Sequence, residues 1–308
     1  MFKIIGTEQL SSCDWGRLNK KVVLNAIKYA INKDNWKHID TAAVYDLGKV
    51  EKIIGLNPKI FNNSHILSKV GFRWKKKKNK RAHTYININE KDVQSQAEES
   101  LIRLKKKKIH TFFLHRIDKA QSLEKQIEFL NNLKKKDYCD NIGLCNLSTK
   151  DIKNEDLNQV DLIQTEMSLV CNNSKLIKNF NNSRVILHTC LARGLISNKV
   201  INHIPVFAKK NDRRKHLKEF NKKNISKINF ALSNLTQEYD LTKINSAKIN
   251  LATIKKIYKP RGMIVGFRSL DQLKQIESFD KFKNLSSKTV KLFNFYSNKI
   301  GNITGRVK

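Results

Sequence analysis

Apolar residues recur along the chain in two rhythms: short solid runs of strand length, and longer stretches with apolar positions three and four apart. Residues 3 to 9 predict a first short strand, and Leu18 to Asn32 a helix. His38-Ile39-Asp40 predicts a second strand ending on a carboxylate; the loop beyond it carries Tyr45, and an amphipathic helix opens near Gly48 and closes near Gly55. His65 to Val70 is a third strand that delivers Lys69, followed by a helix from about Asn89 to Leu104 with Val93, Ala97, Leu101 and Leu104 on one face. The run Thr111 to Leu114 leads to His115, then a helix around Ser122 to Lys136, a strand from Asn141 to Asn146 and a helix capped by Ser148 or Thr149. Asp161 to Glu166 and Arg184 to Thr189 predict strands six and seven, with a short helical segment near Ser174 to Phe180 between them. Helices around Ile225 to Tyr239 and Ile244 to Tyr258 precede an eighth strand, Met263 to Gly266.

Regular alternation of strand and helix argues for a parallel sheet with right-handed crossovers, and eight units argue for closure. The expectation is an α/β chain folded as a single (β/α)8 TIM barrel over residues 1 to 308, a length that suits such a barrel with room for one long loop. That loop is the Lys- and Arg-rich connection from about 192 to 224, over-long for a compact barrel unless functional; a C-terminal tail follows from about 280. With three prolines and eleven glycines there is no obvious linker between domains. In a barrel of this kind the carboxyl ends of the strands face one mouth, so Asp40, Lys69 and His115 gather there, with Tyr45 in a loop just past one strand.

Composition complicates this picture only slightly. The net charge is +34, from 61 basic and 27 acidic residues, which favours a polyanionic partner. The bias is spread along the whole chain and falls on Lys far more than Arg, whereas a nucleic-acid binder concentrates Arg and aromatics on one element. No specific nucleic-acid partner is expected, and the run Trp74 to Arg81 reads as a solvated basic loop after the third strand. Cys13, Cys139, Cys145, Cys171 and Cys190 form no CxxC pair and have no histidines at metal spacing, so they read as free thiols in a reducing compartment. No run approaches the roughly 20 apolar residues of a membrane span, and the expected location is the cytoplasm.

The four mouth residues suggest acid–base chemistry. A free phenol, with a pKa near 10, is a poor acid at neutral pH; a neighbouring ammonium favours the phenolate, so Lys69 is expected to lower the pKa of Tyr45. Asp40 would pair with Lys69, because a buried ammonium without a counterion is expensive. His115 would offer a hydrogen bond to a bound substrate.

Several short motifs then occur in order: Asp40-Thr41-Ala42 with Tyr45, Gly48 and Glu51; Lys69 in Ser-Lys-Val-Gly; His115 in Leu-His-Arg-Ile-Asp; Gly143-Leu144-Cys145-Asn146; Gln164; Leu191-Ala192-Arg193-Gly194; and Gly266-Phe267-Arg268-Ser269. Over roughly residues 4 to 277 this ordered set resembles the aldo-keto reductases. The resemblance implies an NADP(H)-dependent enzyme that reduces a small aldehyde, ketone or sugar carbonyl to an alcohol, with Asp40, Tyr45, Lys69 and His115 catalytic and Tyr45 the general acid. There is no G-x-G-x-x-G after the first strand, so a Rossmann site is not indicated. By the same resemblance Asn146 and Gln164 hold the carboxamide, with Cys145 where Ser is usual, and His188 stands where an aromatic stacks on the nicotinamide. Thr189, Leu191 and Gly266 fall in the same cofactor-facing segments, while Arg268, Ser269 and Gln272 match the site for the 2′-phosphate. Asp46 in place of Gly, Glu166-Met167 in place of Glu-Tyr and Ile276 in place of Asn depart from the family pattern. Two rival readings are a catalytically weak NADP(H)-binding sensor or regulatory subunit of the same fold, like the potassium-channel beta subunits, and a basic nucleic-acid-binding protein.

Overall fold

The computed structural model describes residues 1–11, 15, 18–33, 36–77, 80–153, 155–202 and 212–304. In chain order its strands are β1 (Phe2–Gly6), β2 (His38–Asp40), β3 (His65–Val70), β4 (Phe72–Lys77), β5 (Lys80–Ile86), β6 (Ile109–Leu114), β7 (Cys139–Cys145), β8 (Leu162–Glu166), β9 (Val185–His188) and β10 (Gly262–Val265). Eight of these close a barrel in the order β1-β10-β9-β8-β7-β6-β3-β2, each neighbouring pair parallel. The chain is a (β/α)8 TIM barrel. Its helices are α1 (Lys20–Lys33), α2 (Lys49–Gly55), α3 (Pro58–Phe61), α4 (Glu90–Leu104), α5 (Leu123–Lys135), α6 (Ser174–Ile177), α7 (Asn198–Asn202), α8 (Lys222–Thr236), α9 (Ser246–Tyr258), α10 (Leu270–Ile276) and α11 (Ser287–Ile300).

The strand pleat sorts the core into two layers. Ile4, Leu67, Phe113, Cys145, Leu162, Ile186 and Ile264 fill the barrel interior, while their strand neighbours, such as Ile5, Ile66, Phe112 and Leu144, pack outward under the helices. The interior is tight at β7. A methyl group on Gly143 would meet the Phe113 ring at 2.3 Å and the Leu162 carbonyl at 2.7 Å, so only glycine lets that ring lie across the strand. The outer layer follows the 3.6-residue period: on α4, Val93, Ala97, Leu101 and Leu104 are buried, and the Asn89 side chain caps the helix by accepting from the Asp92 amide at 2.9 Å.

Four expectations are corrected. The first strand stops at Gly6 and a 3-10 turn, Glu8–Leu10, follows. The basic stretch after β3 is an antiparallel hairpin, β4 with β5, in which Trp74 faces Thr84 across the ladder; Lys78 and Asn79 lie outside the described residues. No helix follows Ser148 among the described residues: its amide and hydroxyl both bond Asp151 Oδ2 at 2.7 Å, a local turn that competes with helix formation. The segment expected to be a tail contains α11, whose Phe293 is fully buried. The long connection from 192 to 224 holds α7 and short 3-10 turns, with residues 203–211 outside the described part. Cys13 also lies outside it; the other four cysteines are free and buried. Among the described residues no helix is long and apolar enough to cross a membrane, and no three His, Cys, Asp or Glu are placed to hold a metal ion.

Candidate active site

Strand register places the first pair. β2 and β3 run in step, Asp40 beside Leu67, so Lys69 emerges two residues further up, at the barrel mouth. Its Nζ donates to Asp40 Oδ1 at 2.8 Å, Asp40 Oδ2 at 2.7 Å and the Thr41 carbonyl at 2.8 Å, which engages all three ammonium protons. Both side chains are nearly fully buried, at 2% and 5% exposure. Gln164, from β8 across the barrel, donates to Asp40 Oδ2 at 2.9 Å.

Tyr45 follows in a 3-10 turn, Tyr45–Gly48, that ends in three left-handed residues: Asp46 at φ 47°, Leu47 at 55° and Gly48 at 85°. This conformation explains a glycine preference at position 46, and Asp, which tolerates the left-handed region better than most residues, is a reasonable replacement. Asp46 is buried and lies 3.6 Å from Lys49 Nζ. A second buried contact holds the turn's helix to the Lys69 strand: the Ser68 hydroxyl donates to Glu51 Oε1 at 2.6 Å and Arg103 Nε to Glu51 Oε2 at 2.7 Å, with Glu51 wholly buried. Glu51 in the motif thus joins α2, β3 and α4.

The Tyr45 ring comes to rest with Lys69 Nζ 5.2 Å from its centre and the His115 ring edge-on at 6.2 Å. His115 is set just past β6 by its amide bond to the Val70 carbonyl, 2.9 Å, and Phe72 of the hairpin meets its ring edge-on at 5.1 Å. The electrostatics correct one expectation. Burial, then the charge of Asp40, pushes the Tyr45 phenol well above its ordinary value instead of lowering it, because the Lys69 ammonium is already matched by Asp40. Burial, then Lys69 and Arg116, holds the His115 imidazole well below its usual value, so the ring is neutral and one nitrogen carries a donor proton.

The remaining named residues, Cys145 excepted, line one cleft of about 1310 Å³ that runs across the mouth. Cys145, inside the barrel, donates to Gln164 Oε1 at 3.3 Å and so orients that amide toward Asp40. Asn146, at φ 59°, donates to the His115 carbonyl at 3.1 Å. His188 Nε2 lies 3.2 Å from Asn146 Oδ1, and Nδ1 lies 2.8 Å from the hydroxyl of Thr189, itself left-handed at φ 58°. A neutral ring with its proton on Nε2 satisfies both, in keeping with a His188 pKa that burial, Lys69 and Arg193 push down to about 3. Leu191, Gly266 and Ile276 also face the cleft, as do Arg268, Ser269 and Gln272 at its far end. There Ser269 caps α10, and Gln272 Oε1 accepts the Arg268 amide at 2.8 Å.

Sequence reasoning passed over several residues of that end. Trp15 pairs with Asp212 in a short antiparallel bridge, its carbonyl accepts from Arg268 Nη1 at 3.2 Å, and the guanidinium groups of Arg213 and Arg214 lie 5.2 and 5.5 Å from its ring centre. The over-long basic connection was the signal for the two arginines; a lone Trp in a short loop gave none. Burial and repulsion from Arg214 both lower the Arg268 pKa, so this end of the cleft gathers cations close enough to disfavour one another. A dinucleotide phosphate would relieve that repulsion, and the donor set fits such a group.

The barrel mouth thus brings Asp40, Lys69, Tyr45 and His115 together. Residues 4–294 match the aldo/keto reductase family, and the chain belongs to that family of oxidoreductases. No curated protein matches it. Among solved structures, the chain is similar to the glycerol dehydrogenase AKR11B4 from Gluconobacter oxydans, with a TM-score of 0.79 and 18% identity over 99% of this chain and 93% of that one. The aldo-keto reductase AKR11C1 from Bacillus halodurans, solved in its holo form, gives a TM-score of 0.74 and 16% identity over 96% and 91%. A silkworm (Bombyx mori) aldo-keto reductase, AKR2E5, gives 0.64 and 16% over 99% and 85%.

Proposed function

We propose that the protein is a cytoplasmic, NADP(H)-dependent reductase that converts an aldehyde, ketone or sugar carbonyl to the alcohol, reversibly, with Tyr45 as general acid. The observation that carries this reading is the placement of Lys69, its three protons engaged by Asp40 and Thr41 and its charge 5.2 Å from the Tyr45 ring. When bound, NADPH supplies the hydride. Gln164 and Asn146 would hold its carboxamide, His188 would lie against the nicotinamide, and Arg268, Ser269 and Gln272 would take the 2′-phosphate.

The chain's own residues do the rest. Neutral His115 donates its ring N–H to the carbonyl oxygen and fixes it beside Tyr45. The raised phenol pKa keeps the Tyr45 proton in place across the neutral range, ready to pass to that oxygen as negative charge develops there. Asp40 keeps Lys69 charged and oriented beside the Tyr45 ring. A specific nucleic-acid partner is not part of the proposal. The test is a panel of neutral and charged aldehydes, ketones and sugars with NADPH oxidation followed by absorbance: turnover of at least one supports the reductase, whereas tight NADPH binding with no turnover gives the sensor reading its place.

A further inference from the structure

Several charged groups around the barrel mouth are matched in pairs, and Arg116 is not among them. Asp40 has Lys69, Asp46 has Lys49 at 3.6 Å, and Glu8 has Arg213 at 2.8 Å. Arg116, the residue after His115, lines the same cleft, is exposed, and makes no hydrogen bond or ion pair among the described residues. The carboxylates nearest to it along the chain or across the adjoining turn are engaged elsewhere. Asp118 accepts from the Ala120 amide and from Gln121 Nε2, both at 2.9 Å, and Asp151 is held by Ser148. The Arg116 charge nonetheless reaches the reacting groups, since it contributes to holding His115 neutral.

An unmatched guanidinium at the lip of a catalytic pocket offers a planar fork of donors to whatever lies beside His115. Phe72 meets that histidine edge-on at 5.1 Å and adds an apolar ring beside it. Resting on the reductase reading, we infer that the substrates are anionic carbonyl compounds, with a carboxylate or phosphate near the reacting carbonyl that Arg116 binds. Arg116 then sets specificity.

The test compares neutral and anionic partners of the same carbon skeleton with NADPH at low ionic strength: glyceraldehyde against glyceraldehyde 3-phosphate, and glycolaldehyde against glyoxylate. The expected result is a KM about tenfold lower for the anionic member of at least one pair, shrinking as salt is raised. Which pair shows it separates phosphate from carboxylate recognition. Arg116→Gln should abolish the preference, and Arg116→Lys should keep part of it. Reduction of the neutral aldehydes with no preference, or a preference that Arg116→Gln leaves intact, overturns this inference while the reductase reading stands. If neither member of either pair is reduced, both fall.

Discussion

Replacing Lys69 by Met removes the ammonium and keeps much of the side chain's apolar length. The Asp40 carboxylate, 5% exposed, then retains a single donor, Gln164 Nε2 at 2.9 Å, where it had three. Leaving one member of a buried pair without its partner typically costs about 3–5 kcal/mol. Against a domain stability of about 5–15 kcal/mol that is a large loss. Urea unfolding followed by circular dichroism at pH 7 reads it directly. The second arm replaces Asp40 by Asn, alone and together with Lys69→Met. With the stranded charge gone, the double variant should lose at least about 1–2 kcal/mol less than the two single losses added together, because the residues act as one unit. Additive losses, or a single loss under about 1 kcal/mol for Lys69→Met, would refute the claim that this pair is a coupled, desolvated support for Tyr45.

Two other perturbations follow from the cleft and the barrel floor. Arg268→Ala should weaken NADPH binding and leave NADH binding little changed, narrowing the gap between them by about tenfold or more in a fluorescence titration; equal affinities in the unaltered protein would remove the 2′-phosphate assignment. At the opposite end of the barrel His38 stacks on Phe2 at 4.0 Å and on His65 at 4.8 Å, with His110 edge-on at 5.7 Å. Burial, the two histidines and Arg261 depress its pKa from 6.5 to about 3, so its contribution to stability is complete above pH 6.5 and is lost as pH falls toward 3. His38→Phe keeps the stacking and removes this titration; between pH 7 and pH 4 its unfolding free energy should fall by about 1–2 kcal/mol less than the parent's, a discounted value because the cluster is partly solvated. An identical acid profile in the two proteins would contradict this reading.

Much of the barrel was legible because most barrel strands are short apolar runs and each long helix keeps its 3.6-residue stripe. Asp40, Lys69 and His115 were legible for the same reason: each ends a strand or lies within a residue of its end, and a parallel barrel gathers such positions whatever the connections do. The hairpin was not. Its basic run suggested solvent exposure, and the antiparallel register that pairs Trp74 with Thr84 comes from the two segments pairing with each other, which charge composition does not encode. The turn at Ser148 went the other way, since a good N-cap residue there bonds Asp151 locally and no helix follows among the described residues. The direction of the Tyr45 shift was missed for an electrostatic reason. A Lys near a Tyr lowers the phenol pKa only if its charge is not already matched, and the geometry that matches it to Asp40 and Thr41 is a tertiary fact. Arg213, Arg214 and Trp15 likewise meet only when the long connection folds back to the loop after β1.

The most direct test of the account is single-turnover reduction of an accepted carbonyl by Tyr45→Phe loaded with NADPH. The substitution keeps the ring, its contact with Lys69 and its edge-on packing with His115, and deletes the one proton assigned to the carbonyl oxygen. The account predicts hydride transfer slower by about 10²- to 10⁴-fold, with NADPH affinity nearly unchanged because Gln164, Asn146 and Arg268 are the residues assigned to the nucleotide. Hydride transfer by Tyr45→Phe at the rate of the unaltered protein would contradict it.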